Sequence, residues 1–263
     1  METINPIEVS RELRSTYARY LETLVEPRDE NVRVALKAAI KAAESGPNSL
    51  VKGPYLESHP PYVKGLTIRN LVEQGVLSSE FLSFPADDLP IDRTLYAHQA
   101  QAILRVSSGN SILVATGTGS GKTESFLLPI INRLFEEKSE GTLGAGVRAL
   151  LLYPMNALAN DQVKRLRKIL ANQPQITFGR YTGETLDLHE DALEEYRSRE
   201  EKDPLPNELI SREQMRETPP NILLTNYAML EYLLLRPSDT ALFEGPSADT
   251  WRFIVADEAH TYD

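Results

Sequence analysis

The chain has 263 residues, enough to bury one large α/β core or two modest domains. Hydrophobic residues make up 41% and charged residues 25%, and no apolar run approaches the ~20 residues needed to cross a bilayer. The absence of cysteine excludes disulfides and cysteine-ligated metal centres. The opening METINPIEVSREL lacks the basic-then-apolar order of a secretory signal, so a cytoplasmic protein with no membrane partner is expected. A net charge of −10 argues at first against a nucleic-acid partner. Much of the excess is local, however: residues 184–217 hold 12 acidic against five basic residues, whereas Lys164, Arg165, Arg167 and Lys168 form a basic cluster.

Asn5-Pro6-Ile7-Glu8 reads as a helix start, with Asn5 as cap and Pro6 in the first turn. Leu13, Tyr17, Tyr20, Leu21 and Leu24 continue it at helical spacing as far as Pro27. Asp29 caps a second predicted helix that carries Val32, Leu36, Ala39, Ile40 and Ala43 on one face and stops at Gly46-Pro47. Residues 45–65 are rich in Pro and Gly and read as irregular. Short helices are predicted at Thr67–Gly75 and Ser78–Phe84, ahead of a Pro85–Pro90 linker. Residues 1–90 thus form a mostly helical N-terminal region, whose plainest role is packing.

After Leu95 strands and helices alternate. Ser111–Ala115, Arg148–Tyr153, Ile222–Thr225 and Arg252–Ala256 are short apolar runs that read as strands. Thr123–Glu137 and Leu158–Leu170 between them read as helices. That alternation predicts an α/β fold with a parallel sheet covered on both faces. Residues 184–217 read as a solvated, helical or partly disordered excursion.

The run into Thr116-Gly117-Thr118-Gly119-Ser120-Gly121-Lys122-Thr123 and on into a helix is the context of a phosphate-cradling loop. Glycines let backbone N–H groups approach phosphate oxygens, and the helix N-terminus adds its positive end. Lys122 is expected on the β- and γ-phosphates of ATP, and the Thr123 hydroxyl on Mg²⁺. The second motif, VADEAH, places Asp257 at a strand's C-terminal end, where it would complete the Mg²⁺ shell. Glu258 is then the group that orients or deprotonates the attacking water, so Lys122 and Glu258 are the expected catalytic pair.

From about Leu95 onward these motifs resemble the DEAD/DEAH-type helicases of superfamily 2. The resemblance implies a RecA-like P-loop NTPase domain over residues 91–263, interrupted by the charged insertion 184–217. It implies that Gln99 reads the adenine edge and that Thr116 replaces the first P-loop glycine. It also implies nucleic-acid contacts in Tyr153-Pro154-Met155-Asn156-Ala157-Leu158-Ala159, where many relatives carry Thr-Arg at Met155-Asn156. Pro154, Asn156 and Ala157 are the candidates there, with Thr182-Gly183 and Thr225-Asn226 as further turns suited to phosphate contacts. The wording of YPMNALANDQ, YTGE, TNYAMLEYLLLRP and DEAHTYD is similar to the branch holding Mrf-type DNA-repair, Lhr-like and DISARM phage-defence helicases. That branch favours DNA over RNA, as single-stranded or partly duplex nucleic acid.

The Asp-Glu motif ends three residues before Asp263. The resemblance therefore implies a longer helicase, with a second RecA-like domain supplying arginines to the transferring phosphate. It also implies that the motif III strand, which separates the P-loop strand from the Asp-Glu strand, is missing, and that this stretch alone turns over ATP negligibly. Two other readings stand beside a helicase: a P-loop ATPase that remodels proteins, and a nucleotide-binding remnant without catalysis.

Overall fold

A computed structural model describes residues 5–24, 27–43, 49, 51–53, 55, 61–83, 89–117, 119–244 and 248–262. The expected stop at Gly46-Pro47, most of the Pro85–Pro90 linker and Thr118 lie outside them. The chain divides into two compact units, Met1–Pro61 and Tyr62–Asp263. In the first, helix α1 (Pro6–Leu24) packs on α2 (Glu30–Ala42). The Asn5 side chain accepts the Ile7 amide at 3.1 Å, and Asp29 accepts those of Asn31 and Val32, so both caps are satisfied as expected.

The second unit opens with β1 (Lys64–Thr67), which pairs antiparallel with β2 (Thr94–Tyr96). Between them lie α3 (Ile68–Glu73), started by a Thr67–Asn70 capping box, and a 3₁₀ turn at Ser79–Ser83. Then follow α4 (Ala97–Ser107), α5 (Lys122–Ser139), β3 (Ala149–Tyr153), α6 (Asn156–Leu170), β4 (Phe178–Arg180), α7 (His189–Glu200) and β5 (Glu208–Leu209). The order closes with α8 (Arg212–Glu217), β6 (Ile222–Asn226), α9 (Tyr227–Leu235) and β7 (Phe253–Ala256).

Strands β5-β4-β6-β3-β7 form one parallel sheet in that order. Leu151 and Tyr153 of β3 join Ile130, Ile131, Leu134 and Phe135 of α5 and Leu166 of α6 in one core. Leu150 and Leu152 point the other way, into a second core with Leu223, Met229 and Leu233. Alternation along one wholly buried strand therefore feeds both layers, which makes this the α/β sandwich expected of the motif spacing.

Two expectations are corrected. Ser111–Ala115 joins no sheet: it has no regular secondary structure, and Leu113 is 85% exposed. An apolar run becomes a strand only where a neighbour takes its N–H and C=O groups. Among the described residues strand β7, the sheet's last, pairs with β3 alone and leaves Ile254 72% exposed along an open edge.

The second correction concerns residues 184–217: α7 and α8 bear out the helical reading, but the stretch packs on α6 rather than standing as a solvated excursion. Arg167 of α6 donates through Nε and Nη2 to Glu208 at 2.9 and 2.8 Å, and through Nη1 to Glu200 at 3.1 Å. Its guanidinium also lies over the Tyr196 ring, 4.9 Å from the centroid. Glu208 is 4% exposed, so this fork is a buried, bidentate tie that fixes β5 at the sheet edge. Glu208→Ala leaves the Arg167 charge without its main partner and is expected to cost roughly 3 kcal/mol. Urea titration checks the size of the loss, and limited proteolysis should cut the variant within 184–217 faster than the parent.

Candidate nucleotide and nucleic-acid site

The P-loop is built from the start of α5 backwards. Gly121 is the helix N-cap at φ +71° and Gly119 sits at φ +75°, left-handed conformations that glycine adopts without strain. A Cβ on Gly121 would also fall 2.5 Å from Gln99 Nε2. The loop is braced within itself: the Thr116 and Ser120 hydroxyls are 2.6 Å apart, and Lys122 Nζ donates to the Thr116 carbonyl at 3.0 Å. Thr123 follows in the first helical turn, part-buried.

Gln99 is 3% exposed and places its amide across the loop's exit. Its Oε1 accepts the Tyr96 amide at 2.7 Å, and its Nε2 donates to the Gly121 carbonyl at 2.7 Å and to Glu124 Oε2 at 3.3 Å. An aromatic group lies alongside. Tyr62 is 5.2 Å from Tyr96 and 5.7 Å from His98, ring to ring, and His98 Nε2 is 3.0 Å from the Ser120 carbonyl. A Cβ on Gly117 would meet the Tyr62 hydroxyl at 2.8 Å. Tyr96 and His98 flank Gln99 in LYAHQ and were available to sequence reasoning; Tyr62 arrives only through the β1–β2 pairing.

Asp257 continues β7 beyond its last strand residue, its amide donating to the Leu152 carbonyl at 3.0 Å. Its Oδ1 accepts the Glu258 amide at 3.0 Å. Burial pushes the Asp257 carboxyl above its ordinary value; the Glu258 amide and the Lys122 charge oppose this, and the Glu258 charge adds to it. The Lys122 charge is thus felt at Asp257, while the ammonium itself is bonded to the Thr116 carbonyl. Glu258 takes the left-handed conformation at φ +50° and approaches His260 Nδ1 at 3.5 Å. Tyr153, level with this point, has a buried hydroxyl without a hydrogen-bond partner among the described residues, and burial together with the Asp257 charge drives its pKa upward.

The turns that follow β3, β4 and β6 lie on the same edge. Asn226 Nδ2 donates to Asn156 Oδ1 at 2.8 Å, and Asn156 Nδ2 donates to Glu184 Oε1 at 3.0 Å. Arg180 donates to Glu184 Oε2 at 2.9 Å and bonds Asn160. Asn156 and Asn226 thus belong to one polar chain with Glu184, the residue after Gly183, and in it the Asn156 hydrogen bond and then Arg180 hold Glu184 below the usual carboxylate range. Pro154 is part-buried and Ala157 exposed at the same place. Thr182 and Thr225 are interior: the Thr225 hydroxyl donates to the Tyr181 carbonyl at 2.6 Å, and the Thr182 amide donates to Thr185 Oγ1 at 3.0 Å. A cleft of about 430 Å³ opens between α6 and α7, lined by Lys164, Arg180, Glu184 and Arg199 among others.

Residues 96–263 match the family model for DEAD/DEAH box helicases. The chain belongs to that family. Its relatives include the Druantia protein DruE of Escherichia coli (strain UMEA 4076-1), 28% identical over 96% of this chain and 18% of that protein. The uncharacterized ATP-dependent helicase YprA of Bacillus subtilis (strain 168) is 31% identical over 64% of this chain and 18% of its own length. Among solved structures, the DUF1998 helicase MrfA bound to DNA and AMPPNP matches with a TM-score of 0.49 and 26% identity, covering 77% of this chain and 23% of that one. The chain spans about 18% of the length of those curated relatives. Among the described residues no helix is long and apolar enough to cross a membrane.

A carboxyl raised by burial binds its proton more readily folded than unfolded, so stability falls as pH rises from the unfolded value near 3.8 through the folded one. Asp257→Asn removes the buried charge. It is expected to raise the melting temperature at neutral pH, with a gain that shrinks on acidification and is gone below about pH 4. Thermal unfolding of both proteins across pH 3–8 checks the sign.

Proposed function

We propose that the chain is the ATP-binding motor domain of a helicase or translocase that acts on DNA, single-stranded or partly duplex. The observation that supports it best is that Asp257, following β7 and bonded to the Leu152 carbonyl, lies at the sheet edge that also carries the Asn156–Glu184 chain. Nucleotide and nucleic-acid machinery then share one rim, the usual ligand side of a parallel sheet.

In this reading residues 91–263 are the motor core and residues 1–90 a helical preface. Gln99 reads the adenine edge once its amide turns from the Gly121 carbonyl. Thr116, Gly117, Thr118, Gly119, Ser120 and Gly121 present amides to the phosphates, and Lys122 moves from the Thr116 carbonyl to the β- and γ-phosphates. The Thr123 hydroxyl and the half-buried Asp257 carboxylate are hard oxygen donors of the kind Mg²⁺ takes, and a cation there would offset the cost of burying the Asp257 charge. Mg²⁺ held there would neutralise charge developing on the phosphate oxygens. Glu258, beside Asp257 in the chain, orients the attacking water or takes its proton.

Pro154, Asn156, Ala157, Gly183 and Asn226 form the proposed phosphate-facing edge, and Thr182 and Thr225 hold its turns from beneath. A second RecA-like domain is the expected partner across the cleft, the compartment is the cytoplasm, and DNA repair or phage defence is the expected setting. Titration with a fluorescent ATP analogue and Mg²⁺ tests the site. The parent chain should bind, and Lys122→Ala should lose at least about tenfold in affinity, the worth of one charge-assisted hydrogen bond. Equal affinity in the two proteins would remove Lys122 from the site. Filter binding to single-stranded DNA with and without the nucleotide separates a helicase domain from a protein remodeller.

A further inference from the structure

Glu124 is the residue after Lys122-Thr123, and neither the P-loop nor the polar chain of the rim includes it. Its side chain is 8% exposed, a position where an ionised carboxylate persists only with partners. Those partners come from three separate elements. Arg93, just before β2, donates to Oε1 at 2.7 Å; Arg165 of α6 donates to the same oxygen at 2.9 Å; Gln99 of α4 donates to Oε2 at 3.3 Å. Burial pushes the Glu124 carboxyl up, but the Arg165 charge and the arginine hydrogen bonds outweigh it and hold the group below its ordinary value. It is a fixed negative charge at the base of the nucleotide cradle.

Two of these partners lead elsewhere. Gln99 divides its amide nitrogen between Glu124 and the Gly121 carbonyl, so any ligand that draws this amide away changes what Glu124 has to bind. Arg165 stands nine residues along α6 from Asn156, about 13 Å on a rigid helix. Asn156 is the first residue of that helix and a link in the rim's polar chain. A shift of Arg165 therefore moves, through one stiff element, the residues proposed to face nucleic acid.

We propose that Glu124 is a positioning residue that couples the nucleotide cradle to helix α6, through Gln99 on one side and Arg165 on the other. The coupling rests on the ATP site proposed above. It has the two alternative arrangements that coupling requires: the Gln99 amide bound to Gly121 and Glu124, or bound to the nucleotide base. With the amide gone, Glu124 is compensated by its two arginines alone, and the Arg165 contact tightens.

Hydrogen–deuterium exchange on the full chain, with and without a non-hydrolysable ATP analogue and Mg²⁺, reads both ends of the link. In the parent chain the analogue should slow exchange at residues 116–125 and, by about fivefold, at residues 156–170. Glu124→Gln and Arg165→Ala should keep the slowing at 116–125 and lose that at 156–170. Arg165→Lys, which retains the charge, should restore part of it. A merely structural ion pair predicts lower stability in the variants with the nucleotide-dependent difference in α6 unchanged, and that result would overturn the proposal. So would a parent chain protected at the P-loop but not at α6. If the analogue protects neither segment, the ATP site itself is wrong and the link falls with it. If Glu124→Gln fails to fold, the Arg165 pair of variants decides the outcome alone.

Discussion

The in-register parallel pairing of β3 with β6 on one side and β7 on the other is the constraint from which the rest follows. Leu152 lies level with Thr225 and with Ala256, so the chain leaves all three strands at one height. The ladders run on slightly past the strands: the Asp257 amide reaches the Leu152 carbonyl, and the Tyr181 amide reaches that of Leu224. The turns are thus launched from the sheet itself and inherit its rigidity. A slip of one residue would turn Leu150 and Leu152 into the wrong core and move Asp257 off the rim. No loop at this edge can be understood apart from that register.

What could be read in the residues beforehand divides along physical lines. Strands β3, β6 and β7 were legible because each is an apolar run with a partner on at least one side. Helices α5 and α6 were legible from their spacing, and the P-loop from its run of glycines directly ahead of a helix. Strands β4 and β5 were not, since three residues and two residues carry no period, and β5 lies inside a charged run. Ser111–Ala115 has the composition of a strand without a neighbour to pair with, and composition does not encode neighbours. The same blindness hid Glu124 with Arg165 and Arg167 with Glu208, each 41 residues apart. Thr182 and Thr225 carry the right chemistry for a surface turn, yet the fold uses their polar groups from inside.

The bulk charge misleads in both directions. The acidic surplus of residues 184–217 is partly consumed internally, by Arg167 on Glu200 and Glu208 and by Arg212 and Arg216 on Asp187. The basic cluster on α6 is depleted by the same pairings: Arg165 and Arg167 turn toward carboxylates, while Lys164 and Lys168 stay exposed. Neither the net of −10 nor the four-residue basic run measures the field that a phosphate backbone would meet at the rim.

The bond from Lys122 to the Thr116 carbonyl has a consequence for which anions the loop accepts. An ammonium resting on a neutral oxygen gains, on exchange, only the difference between that bond and a charge-assisted one. A singly charged anion offers a small difference, and a polyphosphate offers a large one through several oxygens at once. The loop's own carbonyl thereby acts as an internal competitor that sets a threshold of charge. In the proposed site that competition would favour polyphosphates over singly charged anions.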